Sequence, residues 1–161
     1  MITIEDLYKL YLSHPIVSTD TRKLPEGCLF FALRGANFDG NKYAGAALEA
    51  GAAYAIIDEA DQLIDERTIL VPDALEALQL LAAHHRRALG IPVIAITGTN
   101  GKTTTKELTA AVLSQSYHLL YTEGNLNNHI GVPLTLLRLT PEHQLALIEM
   151  GASKPGDIAE L

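Results

Sequence analysis

The sequence predicts an α/β protein, in which strands and helices alternate along the chain. Two observations support this class. Short apolar runs typical of strands are separated by longer segments whose apolar residues recur at helical spacing. The composition is that of a globular protein, because apolar residues make up 48% and charged residues 19% of the 161 residues. A chain of this length can hold one ordinary domain or two small ones.

The first half of the chain predicts a small α/β unit. Thr3 and Asp6 form the pattern of a capping box ahead of a helix that Pro15 ends. A glycine and a proline close the last helix of this half, so a domain boundary is predicted near residues 89–92. The other predicted elements are strands at residues 16–19, 28–33, 53–58 and 68–71, a loop at 34–41, and helices at 43–50 and 74–89.

The second half predicts a parallel sheet. Its order is strand, loop, helix, strand, helix, strand, and such spacing implies right-handed crossovers between parallel strands. The strands are predicted at residues 93–97, 119–121 and 145–150, and the helices at 102–114 and 132–139. Residues 155–161 open a further helix without a stop signal, so we expect this domain to be incomplete and the sequence to be truncated.

Charge and cysteine content exclude several classes of protein. The net charge of −7 argues against nucleic acid as a partner, because no basic stripe is available to neutralise phosphates. The N-terminus has no basic region and no long apolar run, so neither a secretion signal nor a membrane span is predicted. Cys28, the one cysteine, lies in an apolar run and is predicted to be a small buried residue, which fits a cytoplasmic protein.

A glycine-rich loop between a strand and a helix is the strongest chemical signal. Glycines let backbone amides converge on phosphate oxygens, and the N-terminus of the following helix adds partial positive charge. Lys102 is expected against the β- and γ-phosphates of a nucleotide, and Thr103 offers a hydroxyl to Mg²⁺. The loop reads Gly98-Thr99-Asn100-Gly101-Lys102-Thr103-Thr104.

This loop is shorter than the full phosphate-binding motif. The full spacing requires glycine where the chain has Ile96, which points away from GTPases and small-molecule kinases. The alternative is a glycine-rich turn with an exposed lysine. The apolar strand before the loop and the helix after it favour nucleotide binding.

The shortened loop is similar to that of the Mur ligases and of folylpolyglutamate synthetase, which share a central ATPase domain. The segment Thr122-Glu123-Gly124-Asn125-Leu126-Asn127-Asn128-His129-Ile130-Gly131-Val132-Pro133-Leu134-Thr135-Leu136-Leu137 resembles the MurF branch of the Mur ligases. The branch that adds the third amino acid lacks this asparagine-rich run. Glu149-Met150-Gly151-Ala152 resembles the MurF pattern in which a strand ends on an acidic residue.

The first half resembles the UDP-binding domain of the same family. The resemblance rests on Asp20-Thr21-Arg22-Lys23, on residues 25–35 and on Phe38-Asp39-Gly40. Thr21 stands where the family usually has serine, and it keeps a hydroxyl for the uracil or ribose. Asn41 stands where many members have histidine.

The resemblance implies a role for each candidate residue. Residues 1–90 would be a small α/β UDP-substrate-binding domain, and residues 91–161 the first part of a parallel-sheet P-loop ATPase domain. Residues 98–104 would bind ATP, Lys102 and Glu149 would be catalytic, and Thr103 and Glu149 would hold Mg²⁺. The residues implied in substrate binding are Thr21, Arg22, Asn41, Asn125, Asn127 and Asn128.

The position of Glu149 supports its metal role physically. It lies at the carboxyl end of a predicted parallel strand, and ligands bind at this edge in open α/β sheets. The strand at residues 93–97 delivers the phosphate loop to the same edge, where a carboxylate beside Thr103 can complete a magnesium shell. The alternative for Glu149 is a solvated residue at a strand end.

The implied reaction is ATP-dependent addition of D-alanyl-D-alanine to UDP-N-acetylmuramoyl-tripeptide through an acyl phosphate. ATP and Mg²⁺ are the expected cofactors, and we expect a monomer without nucleic-acid or membrane partners. The 161 residues alone are expected to be inactive. Two alternatives are a MurE-type ligase that adds the third amino acid and a UDP-sugar-binding module without catalysis.

Overall fold

A computed structural model describes residues 2–152 and 155–160. Helices and mainly parallel strands alternate in them, which confirms the α/β class. The chain divides into two compact units, Met1–Leu81 and Ala82–Leu161.

The first unit is built on a four-stranded parallel sheet with the order β1-β2-β5-β6. Its elements are α1 (Ile4–Ser13), β1 (Val17–Ser18), β2 (Leu29–Phe31), β3 (Arg34–Gly35), β4 (Phe38–Asp39), α2 (Ala44–Glu49), β5 (Tyr54–Ile57), β6 (Thr68–Leu70) and the start of α3 (Ala74–Leu89). The N-cap of the predicted capping box is confirmed, since the Thr3 hydroxyl accepts a hydrogen bond from the Asp6 amide at 3.2 Å. Cys28 is fully buried, as predicted, in a core formed by β2, β5 and α2.

The predicted loop at residues 34–41 contains more structure than the sequence indicated. β3 and β4 form an antiparallel hairpin there, and short 3-10 turns occupy Thr21–Lys23, Gly40–Tyr43 and Ala60–Gln62. These elements are too short to produce a hydrophobic period. Side chains cap the first two of these turns. Asp20 accepts the Arg22 amide at 2.9 Å, and Asp39 accepts the Asn41 amide at 3.1 Å.

The second unit has a three-stranded parallel sheet with β9 in the centre, in the order β7-β9-β8. Its elements are β7 (Val93–Ile96), α4 (Lys102–Leu113), β8 (Leu119–Tyr121), α5 (Gly131–Leu136), β9 (Leu145–Glu149) and α6 (Asp157–Glu160). Ile96 pairs with Glu149 and Tyr121 with Leu147, so the carboxyl ends of all three strands meet at one edge. The predicted sheet is therefore confirmed, although α5 is shorter than the helix predicted at 132–139.

The division between the units falls inside α3. The Ala74 amide at its start donates to Asp58 at 3.1 Å, in the first unit. Near its end, the buried His85 Nε2 lies 2.9 Å from the Leu139 carbonyl oxygen, in the second unit. The functional boundary at residues 89–92 stays a prediction. Helix α6 lies within the helix predicted at 155–161, of which Leu161 is outside the described residues. In the described part of the chain, no helix is both long and apolar enough to cross a bilayer.

Candidate functional site

The phosphate loop joins β7 to α4, and its residues from Gly98 to Gly101 are exposed. Gly101 precedes the helix with a φ of 76°, a left-handed conformation that favours glycine. The Lys102 ammonium donates a 2.6 Å hydrogen bond to the Gly98 carbonyl oxygen. The lysine therefore lies across its own loop, in a position where a phosphate oxygen could replace that carbonyl.

Glu149, the last residue of β9, is 1% exposed and lies beside the start of α4. Its Oε1 accepts hydrogen bonds from Asn127 Nδ2 at 2.8 Å and from the Thr103 hydroxyl at 3.3 Å. Its Oε2 is buried and has no hydrogen-bond partner among the described residues. An unpartnered buried carboxylate oxygen is costly, so this atom is suited to receive a cation.

The oxygen atoms at this position fit Mg²⁺. This ion prefers oxygen ligands and commonly binds through one or two carboxylates together with substrate phosphates and water. Glu149 and Thr103 bring a carboxylate and a hydroxyl to the edge that carries the phosphate loop. Within the described residues no three His, Cys, Asp or Glu side chains form a metal cluster. Substrate phosphates and water commonly supply the remaining ligands of Mg²⁺.

Two buried side chains behind Glu149 were not singled out by the sequence analysis. Lys106 is fully buried, and its ammonium donates to the Thr122 carbonyl oxygen at 2.7 Å. The Thr122 hydroxyl, also fully buried, accepts the Glu149 amide at 2.9 Å. The available signal was the spacing of Lys102 and Lys106, which places the second lysine one helical turn further along α4.

The three asparagines of the asparagine-rich segment have different surroundings. Asn125 is exposed. Asn127 holds Glu149, as described above. Asn128 holds the backbone just before α5, because its side-chain oxygen accepts the Ile130 amide at 3.1 Å and the Gly131 amide at 2.8 Å. A Cβ at Gly131 would lie 2.4 Å from the Leu126 backbone carbon, so this close approach of loop and helix requires glycine. Substrate contact by the three asparagines stays a prediction.

Thr21 and Arg22 lie together in the first unit, at a cavity of about 530 Å³. Two aromatic residues share this cavity, Phe38 and Tyr43, whose exposed rings stack with centroids 5.2 Å apart. Arg22 also forms an ion pair with Asp20 at 2.7 Å. The hydrogen bonds from Arg22 lower the pKa of Asp20 to about 2. The cavity thus combines flat apolar surfaces with a guanidinium.

Asn41 has a different environment from Thr21 and Arg22. It is fully buried, and its amide nitrogen donates to Asp39 at 3.0 Å and to Asp58 at 2.8 Å, while its oxygen accepts the Asp58 amide at 2.9 Å. A ligand could reach these atoms only if the bonds opened. Direct contact between Asn41 and a substrate therefore stays a prediction.

Asp58 is the centre of this polar cluster. Besides Asn41, it accepts hydrogen bonds from Arg34 at 2.7 Å and from the Ala74 amide at 3.1 Å. Burial alone would raise the pKa of Asp58, but the bonds from Arg34, Ala74 and Asn41 together bring it below its usual value. The cluster joins the 34–41 segment to the start of α3.

Two protein-family models match this chain. The model described as "Mur ligase family, catalytic domain" matches residues 15–86, and the one described as "Mur ligase middle domain" matches residues 96–161. The matched segments lie on either side of the phosphate-loop strand and together include the predicted site residues.

Named relatives match over most of this chain but over only part of their own length. The UDP-N-acetylmuramoyl-tripeptide--D-alanyl-D-alanine ligase of Escherichia coli is 52% identical over 143 residues, which are 89% of this chain and 31% of that protein. The Bacillus subtilis protein of the same name is 46% identical, over 88% of this chain and 32% of its own.

Solved structures also match most of this chain and about a third of their own length. MurF ligase from Thermotoga maritima, crystallised in complex with ADP, has a TM-score of 0.83 and 32% identity over 92% of this chain and 35% of its own. MurF from Acinetobacter baumannii has a TM-score of 0.82 and 39% identity over 89% of this chain and 32% of its own. The chain thus spans about a third of the length of the relatives it matches.

Proposed function

Because the chain belongs to the Mur ligase family, we propose that it forms part of a MurF-type ligase, which adds D-alanyl-D-alanine to UDP-N-acetylmuramoyl-tripeptide in peptidoglycan synthesis. Residues 1–90 are its UDP-substrate-binding domain, and residues 91–161 begin its ATP-binding domain. The names of the relatives and the ADP complex of one of them support this assignment. We also propose that the ligase is a monomer in the cytoplasm.

One observation carries the proposal: the buried Glu149 carboxylate lies beside Thr103 at the edge of the sheet that bears the phosphate loop. Amides of the loop and the start of α4 hold the phosphates of ATP. Lys102 leaves the Gly98 carbonyl and neutralises charge on the transferring phosphoryl group. Mg²⁺, held by Glu149 and Thr103, supplies further charge neutralisation when bound.

The reaction needs no nucleophilic side chain from the protein. The terminal carboxylate of the tripeptide attacks the γ-phosphorus of ATP, which gives an acyl phosphate and ADP. The amine of D-alanyl-D-alanine then attacks the acyl carbon, phosphate leaves, and the amine loses a proton. ATP is required because a free carboxylate repels nucleophiles and has no good leaving group. The chain contributes position and electrostatic stabilisation.

The first unit is proposed to bind the UDP end of the substrate. The Thr21 hydroxyl and the Arg22 guanidinium line one cavity with the stacked rings of Phe38 and Tyr43. A guanidinium suits a diphosphate, and exposed aromatic faces suit a base. The side chain of Asn41 acts indirectly, because its hydrogen bonds to Asp39 and Asp58 tie the 34–41 segment to the residue that follows β5. Direct contact between Asn41 and the substrate stays a prediction.

A chimera tests the ligase activity. Residues 15–161 would replace the matching third of the Escherichia coli relative, and phosphate release would be followed with UDP-N-acetylmuramoyl-tripeptide, ATP and D-alanyl-D-alanine. We expect turnover that depends on the dipeptide, and loss of turnover with Lys102→Met. Turnover with a single amino acid and the UDP-linked dipeptide in its place would instead indicate a ligase of the third-residue type.

The cavity at Thr21 and Arg22 also allows a simpler role, UDP-sugar binding without catalysis. Calorimetric titration of the 161-residue chain with UDP-N-acetylmuramoyl-tripeptide tests it. We expect binding by this chain, weakened by Arg22→Ala, and no phosphate release. Phosphate release at an enzymatic rate by these residues alone would contradict the proposal that the ligase needs further domains.

A further inference from the structure

We propose that Lys106 and Thr122 are positioning residues that hold Glu149 in place for magnesium. The pair is called the Lys106–Thr122 bracket below. Lys106 lies on α4 one turn beyond the phosphate loop, Thr122 directly follows β8, and Glu149 ends β9. The inference rests on the proposed nucleotide function and adds two residues to it.

The first part of the bracket is the Thr122 hydroxyl. The Thr122 amide donates to the Leu147 carbonyl oxygen at 3.0 Å, which continues the pairing of β8 with β9 by one residue. The Glu149 amide is then bonded by a side chain, because the Thr122 hydroxyl accepts it at 2.9 Å. Thr122 and Glu149 are both buried, so the hydroxyl fixes the Glu149 backbone on the side of β9 where the pairing with β8 has ended.

The second part is the Lys106 ammonium. It donates to the Thr122 carbonyl oxygen at 2.7 Å and pairs with Glu107 at 2.7 Å. A buried lysine is costly, and an apolar side chain of similar volume would serve packing as well or better. The lysine therefore provides something that packing alone does not, namely a fixed contact between α4 and the residue that holds Glu149.

The bracket connects the two proposed metal ligands. Thr103 lies on α4 and Glu149 on β9, and their side chains are 3.3 Å apart. Lys106 is on the same helix as Thr103, and Thr122 is bonded to the backbone of Glu149. The spacing of the two ligands thus depends on the bracket as well as on their direct contact. Residues that support metal ligands in this way typically affect metal affinity about 10–100-fold.

Thr122→Val and Thr122→Ser test the inference in the 161-residue chain. Valine has the shape of threonine without the hydroxyl, whereas serine keeps the hydroxyl. Calorimetry with ADP, with and without Mg²⁺, measures the gain in affinity that magnesium provides. We expect Thr122→Val to reduce this gain about tenfold or more, with little change in ADP binding without magnesium, and Thr122→Ser to restore it.

Glu107→Gln is the matched control. It removes the ion pair of Lys106 but leaves the bond to Thr122, and the Glu107 side chain is 56% exposed. Because the Lys106 bond to the Thr122 carbonyl oxygen remains, the magnesium-dependent gain should be unchanged. If Thr122→Val does not fold, Lys106→Met replaces it, with the same expected loss.

A second measurement needs no ligand. Hydrogen exchange of the Glu149 amide in the ligand-free chain should become at least about tenfold faster in Thr122→Val and not in Thr122→Ser, because only valine removes the acceptor. Unchanged exchange, an unchanged magnesium-dependent gain, or an equal loss of binding with and without magnesium each overturns the bracket. Failure of the unaltered chain to bind ADP with magnesium instead overturns the proposed nucleotide binding by these residues alone, and the bracket is then tested by hydrogen exchange only.

Discussion

Replacing Glu149 by glutamine should make the ligand-free chain more stable and the ligand-bound chain less stable. The wild-type carboxylate is 1% exposed and has one oxygen without a partner among the described residues. Glutamine keeps an oxygen for Asn127 and Thr103, and it removes a buried charge. We therefore expect the variant to be more stable than the wild type without ligand and less stable when magnesium and nucleotide are bound.

The substitution changes stability through burial and through binding, in opposite directions. A buried unsatisfied polar group costs about 1–3 kcal/mol, and more if it is charged. The glutamine NH₂ group takes the place of Oε2 and is itself unpaired, so only about 1 kcal/mol should be recovered. At about 100 times its Kd, Mg·ADP stabilises the wild type by about 2.7 kcal/mol. A loss of about 100-fold in affinity leaves the variant about 0.4 kcal/mol of this. The wild type should then be the more stable by about 1.3 kcal/mol.

Native-state hydrogen exchange of the β9 amides measures the stability of the second unit by itself. Glu123→Gln is the matched control, because it makes the same chemical change in an ion pair with Arg138, where the Glu123 side chain is 61% exposed. This control should change stability by less than about 0.5 kcal/mol under both conditions. If the Glu149→Gln variant is less stable than the wild type without ligand, the claim that the unpartnered oxygen lowers stability is wrong. A variant that gains as much from Mg·ADP as the wild type would refute the metal role.

Two further variants test the packing of each unit. Gly131→Ala should lower the free energy of unfolding of the second unit by about 2 kcal/mol, since its Cβ would lie 2.4 Å from the Leu126 backbone. The control Gly45→Ala, in α2, meets only a flexible side chain and should be neutral. Urea unfolding compares the two variants, and equal effects would contradict the close approach at Gly131. Asp58→Ala should cost about 2 kcal/mol at pH 7, because the Asp58 side chain is 9% exposed and bonded to three partners. Asp20→Ala should cost less, because the Asp20 side chain is 44% exposed. The pKa of Asp58 is lowered in the folded chain, so its contribution to the free energy of unfolding is complete above about pH 4 and is lost as the pH falls through the lowered pKa. If the difference in this free energy between wild type and Asp58→Ala grows in acid, the predicted sign is wrong.

The sequence was sufficient for the features that depend on local pattern. The strand, glycine-rich loop and helix around Lys102 follow from an apolar run and from residues with special backbone freedom. The family resemblance singled out Glu149, and one topological rule placed it near Thr103, because the carboxyl ends of parallel strands share an edge. These predictions needed no knowledge of side-chain packing.

Features that depend on distant side chains were not predictable in this way. Lys106 is polar, and an isolated helix pattern would place it in solvent, but Thr122 provides a carbonyl acceptor 16 positions away in sequence. Asn41 belongs to a segment with the composition of a loop, yet Asp58 buries it in a cluster. In both cases a partner outside the local window decides whether a polar residue is exposed, and the hydrophobic period contains no information about that partner.

Several residues distant in sequence hydrogen-bond to Glu149, and together they restrict the orientation of its carboxylate. Oε1 is used by Asn127 and Thr103, and the backbone amide is used by Thr122, so the carboxylate has little freedom to turn its free oxygen towards a donor of its own. A carboxylate that could relax would satisfy both oxygens and lose its preference for a cation. The surrounding bonds therefore maintain a local cost in the ligand-free chain, and binding of a cation at Oε2 would remove it. This arrangement favours an ion that arrives with a nucleotide over permanent internal pairing.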